Sequence, residues 1–81
     1  MKRVMVTWWD ACSRLTESRW SSLEDIRELS PAKATSVGFL IADEPDYLIV
    51  AAHLAEINAG GEVCIPRMCV VSIAELVEAN E

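Results

Sequence analysis

The densest hydrophobic pattern lies in Thr35–His53, TSVGFLIADEPDYLIVAAH, and it predicts two β-strands joined by a tight acidic turn. Val37, Phe39 and Ile41 alternate with Ser36, Gly38 and Leu40 in the first strand, and Tyr47–His53 forms the second. Between them Asp43-Glu44-Pro45-Asp46 is turn chemistry: Pro45 pre-sets φ, and the Asp side chains can accept from nearby backbone N–H groups. Such a hairpin is a sheet core, not an active site.

Upstream, Val4–Trp9 alternates as a first strand, with Val4, Val6 and Trp8 on one face and Met5, Thr7 and Trp9 on the other. The two tryptophans must point opposite ways, so one enters the core and the other faces the surface or a second chain. Asp10–Arg19 is polar, with turn and cap candidates, and Trp20 is expected to pack back as a lid on the core. Ser21-Ser22 caps a short helix over Leu23–Leu29, with acids in its first turn and Leu23, Ile26 and Leu29 on one stripe; Pro31 ends it. That stripe suits a helix laid across a sheet or barrel end.

After the hairpin, Ala55–Gly61 reads as a loop, with Asn58, Gly60 and Gly61 able to take positive φ. Glu62–Pro66 is extended, and Pro66 marks a strand end, bulge or edge. Met68–Ile73 is a fifth strand, and Ala74–Ala79 a last helical turn or a frayed tail. The pattern predicts a mainly β (α+β) fold: one domain over 1–81, a small bent five-stranded SH3-like or Sm-like barrel with one short helix between strands 1 and 2. Leu40-Ile41, Leu48-Ile49-Val50 and Val70-Val71 are apolar on both faces, while a small barrel has one inward face. The outward residues call for another subunit, and closed rings or pairs are expected.

Composition sharpens that expectation. With 81 residues there is room for one small core, yet 52% of the residues are hydrophobic. The formal net charge of −6 argues against nucleic-acid backbones and anionic membrane surfaces. No apolar leader follows Met1-Lys2-Arg3 and no window reaches membrane-spanning length, so a cytoplasmic chain is expected. Three cysteines, an odd number, argue against a disulfide framework.

Candidate chemistry is sparse. Cys12, Cys64, Cys69 and His53 have loose spacing for a zinc site, and apolar neighbours make Cys64 and Cys69 buried thiols instead. His53 is the sole histidine, and no nucleophile elbow accompanies it. Gly60-Gly61 is too short for a phosphate loop. No catalytic residue, metal ligand or cofactor is assigned. Arg14, Arg19, Arg27, Lys33 and Arg67 are isolated cations, of which one or two can clamp an anion at a subunit boundary.

Val6-x-Trp8-x-Asp10, the later Trp20, Ser36–Leu40 and Ile65–Ile73 ending in Leu76 resemble small accessory proteins common in tailed-phage genomes. The resemblance spans most of the chain and implies a phage origin, action in the host cytoplasm and a small β-barrel. It implies no catalytic residue. Proteins of this kind act by binding: some inhibit a host enzyme, and others oligomerise and sequester nucleotide signals of bacterial defence systems. The expectation is a non-enzymatic homo-oligomer that captures a nucleotide-derived ligand, with Trp9 stacking a base and Arg14 or Arg67 meeting phosphate. The alternative is a protein–protein inhibitor or adaptor that presents the apolar face to a host or virion protein.

Overall fold

Alternating β-branched and aromatic residues build five antiparallel strands in one sheet, in a computed structural model that describes residues 1–11 and 20–79. The strands are β1 (Arg3–Asp10), β2 (Ala32–Asp43), β3 (Tyr47–Leu54), β4 (Ala59–Pro66) and β5 (Val70–Leu76). Their spatial order is β4-β3-β2-β1-β5. A short helix, α1 (Leu23–Arg27), lies between β1 and β2, and a 3₁₀ turn, Arg67–Cys69, links β4 to β5. The mainly β expectation holds, as does the order of strands and helix.

β2 holds the sheet together because its two halves serve different neighbours. Ala32–Phe39 pairs with β1, and Phe39–Asp43 pairs with β3, with a register shift between Leu40 and Ala42. The predicted hairpin is thus present, and the Glu44 N–H donates to the Tyr47 carbonyl at 2.9 Å to close its turn. Gly38 stands where β3 crosses: a Cβ there would lie 2.3 Å from the Ala51 carbonyl oxygen. Only a residue without Cβ lets the two backbones approach so closely.

Val4, Val6, Leu48, Val50 and Ile65 form the buried cluster, with Trp8, Leu40, Val63, Cys69 and Val70 packed against it. Trp8 and Trp9 do point opposite ways. Trp8 lies against the core and its indole N–H donates to Ser36 Oγ at 3.0 Å, whereas Trp9 is 48% exposed on the other face.

The sheet is curled but its edges are unpaired with each other: β4 pairs with β3 and β5 with β1, and no ladder joins β4 to β5. In a flat sheet those edges would stand about 19 Å apart, four strand spacings. The linking turn has three residues, which in 3₁₀ conformation advance about 6 Å. The end of β4 and the start of β5 therefore converge, and the turn contacts both β1 and β3.

Several expectations are corrected. Trp20 is 87% exposed and is no lid. Ser22 caps α1 as expected, accepting from the Asp25 N–H at 3.1 Å, but Leu23, Ile26 and Leu29 are all exposed. Ser30-Pro31 leads directly into the end of the β1–β2 ribbon, where pairing with β3 has not begun and pairing with β5 has stopped, so the helix is held away from the core. Ala74–Leu76 extends β5 instead of turning helical, because β1 offers ladder partners: Met5 to Ala74, Val4 to Glu75, Arg3 to Leu76. A three-residue segment gains more from that edge than from a helical nucleus. Met68 and Cys69 sit in the 3₁₀ turn, and Ala59, Gly60 and Gly61 belong to β4. Cys64 is exposed, because it shares the outer face with its partner Ile49, opposite to Ile65.

Candidate functional site

Cross-strand partners share a face of the sheet, so the registers show what the side opposite the core carries. Met5 pairs with Val37 on one side and Ala74 on the other; Arg3 pairs with Phe39 and Leu76; Trp9 pairs with Lys33. Rows from β2 through β1 to β5 thus make one outer face, apolar at its centre. Val37 is 55% exposed there, with Met5 and Leu76 also exposed.

At the far end of this face the Lys33 ammonium lies 5.9 Å from the Trp9 ring centroid, within cation–π reach. The pair offers a flat aromatic surface beside a positive charge. Its chemistry suits an anionic ligand with a planar ring, since ring stacks on ring and ammonium meets phosphate or carboxylate. The sequence singled out Trp9 but left Lys33 among five isolated cations; only the β1–β2 register brings them together.

Arg67 is placed differently. Its guanidinium donates to Asp43 Oδ1 and, at 2.8 Å, to the Glu44 carbonyl, while its backbone N–H donates to the Asp46 carbonyl at 2.8 Å. These bonds tie the β2–β3 turn to the β4 end. Beside them Pro45, Asp46, Pro66, Arg67 and Met68 line an open hollow of about 450 Å³. The lining holds one carboxylate and one guanidinium.

Trp9 and Arg67 lie toward one end of the sheet, since Val70, three residues after Arg67, pairs with Trp8. They face different partners, however: Trp9 has Lys33 on the outer face, and Arg67 turns to Asp43 and Glu44. Arg14, the third expected ligand residue, lies outside the described residues. His53 is exposed on β3, opposite Gly60. Among the described residues, no three His, Cys, Asp or Glu side chains gather closely enough to hold a metal ion. Among the same residues, no helix is long and apolar enough to cross a membrane.

No protein-family model, curated protein or solved structure matches this chain.

Proposed function

We propose that this chain is a non-enzymatic binding protein of the tailed-phage accessory type, working in the host cytoplasm as a homo-oligomer of SH3-like barrels. The observation that carries the reading is the imbalance of apolar surface. Among the described residues six hydrophobic side chains are buried, while seventeen large ones are exposed, from Leu76 and Ile41 to Met68 and Ile57. Scattered exposed apolar residues are ordinary, but here Met5, Trp9, Val37 and Leu76 share one outer face and Val71 and Ile73 lie along an edge strand. A small acidic chain with so little core gains its remaining stabilisation by association.

The SH3-like assignment is supported by the strand order, by the curl, and by the 3₁₀ turn between the last two strands. Ligand capture is supported by the Trp9–Lys33 pair, which offers stacking and charge in one place. The ligand class that fits is a small nucleotide-derived molecule, held at a subunit boundary and hidden from a host effector. A protein-inhibitor reading is favoured instead by the central Met5–Val37–Ala74 row, which could seat an apolar segment of a host or virion protein.

Native mass spectrometry of the full chain, purified from cells with an active nucleotide-signalling defence, separates these readings. A discrete oligomer that releases a stoichiometric small molecule on denaturation supports sequestration. A ligand-free monomer overturns it and favours the inhibitor.

A further inference from the structure

Among the described residues, the curled sheet leaves several runs of strand backbone without a ladder partner, and they are not equally protected. An exposed strand edge invites pairing with another chain unless charge, proline or irregular backbone blocks it. β4 carries all three: Gly61 at φ +63° breaks its regularity, Glu62 is exposed, and Pro66 has no N–H to donate. The open run of β2 before Phe39 is guarded by Pro31 and by the exposed Lys33. On β1 the open run is two residues, Trp9 and Asp10.

β5 has less: its one irregularity is the bulge at Val71, near its start, where the register with β1 shifts between Thr7 and Trp8. Its sequence, VVSIAEL, holds no Pro, Gly, Lys or Arg, and its one charge is Glu75, 4.0 Å from the Lys2 ammonium. Val71, Ile73 and Leu76 are all exposed on it. Ile73 stands opposite Val6 and so continues a row that begins in the core, yet it ends in solvent.

We infer that β5 is the seam of self-association: it pairs antiparallel with β5 of a second copy across a two-fold axis at Ile73. This rests on the homo-oligomer reading above. The segment is self-complementary about that point. Ile73 meets the partner's Ile73, Ser72 meets the partner's Ala74, and Val71 meets the partner's Glu75, so no like charges face each other. The Val6–Ile73 row then runs unbroken from one core into the next, and two five-stranded sheets become one. A two-fold interface is isologous, so the least protected edge finds its match in its own copy.

Two variants test the seam in the full chain. Ser72→Lys with Ala74→Lys places four ammonium groups across the axis, on side chains that face away from the core. Native mass spectrometry is expected to show this variant at 9.0 kDa where the parent is at twice that mass or a multiple of it, with the circular dichroism of the strands retained. Ile73→Cys, with Cys12, Cys64 and Cys69 changed to Ser, is expected to form a covalent dimer under mild oxidation. That second variant decides the matter if the lysine pair prevents folding. No covalent dimer overturns the two-fold pairing whatever the lysine variant does. An oligomer that survives the lysines in a folded chain also overturns it, while leaving the homo-oligomer reading intact. A monomeric parent overturns both.

Discussion

Gly38 and Ala51 define the tightest backbone crossing in the fold: a Cβ on Gly38 would sit 2.3 Å from the Ala51 carbonyl oxygen and 2.9 Å from its carbonyl carbon. Both obstacles are backbone, so no side chain can swing aside. Gly38 pairs with Val4 on its other edge, which means β2 is fixed on both sides at this residue. Gly38→Ala is expected to destabilise the chain by about 2–3 kcal/mol, the upper part of the range for an overpacked core. Urea denaturation at fixed protein concentration measures it, and a loss under about 0.5 kcal/mol would show that the crossing relaxes freely.

Gly60 and Gly61 are adjacent but unequal. Gly61 has φ +63° and a would-be Cβ 3.0 Å from the Ala52 methyl, whereas nothing lies within 4 Å of the corresponding position on Gly60. Gly61→Ala is expected to cost about 1–2 kcal/mol for the left-handed conformation. Gly60→Ala is expected to be neutral or to stabilise by a few tenths of a kcal/mol through the unfolded chain. Equal effects in thermal unfolding would contradict the assigned geometry.

The neighbouring tryptophans should separate stability from binding. Trp8→Ala removes core contact and leaves Ser36 Oγ without its indole donor, an expected loss of about 3 kcal/mol or more. Trp9→Ala removes a half-exposed ring and is expected to cost under about 1 kcal/mol. Its effect should appear in ligand affinity instead, and Lys33→Ala should reproduce much of that loss. Unchanged affinity in both variants would remove this pair from the binding site.

Arg67 joins two turns through a part-exposed ion pair, and salt screens such pairs. Arg67→Lys keeps the charge but loses the planar Nη2, whose two N–H groups point to Asp43 and the Glu44 carbonyl together. A destabilisation of about 0.5–1.5 kcal/mol is expected, smaller in high salt. If Arg67→Ala lowers ligand affinity while stability is unchanged, Arg67 contacts the ligand and is more than a clamp.

Association should be visible in thermal unfolding. If the exposed apolar face and the β5 edge are covered by a second copy, the midpoint rises with protein concentration. A midpoint that stays constant over a hundredfold dilution would argue for a stable monomer.

Local pattern was a good guide wherever one strand decides its own faces. The opposition of Trp8 and Trp9, the Thr35–His53 hairpin and the Ser22 cap follow from alternation and capping chemistry within a few residues. The site was only half legible. Trp9 stood out as the tryptophan left over, but Lys33 lies far along the chain and meets it only through the β1–β2 register. Arg67 was legible as a cation, not as the clamp of two turns, because Asp43 and Glu44 come to it through the curl of the sheet.

By itself the sequence determined the strand count, the order of elements, the acidic surface and the excess of apolar residues, since each depends on composition or on a period of two. The tertiary structure decided what those residues meet. It turned Ala74–Leu76 into strand because β1 presented an unfilled edge, and it left α1 and Trp20 exposed because a short link holds the helix at the ribbon's end. It also made Gly38 indispensable, through a β3 backbone that crosses it from thirteen residues further along the chain. Periodicity fixes which way a side chain points; only packing fixes what it points at.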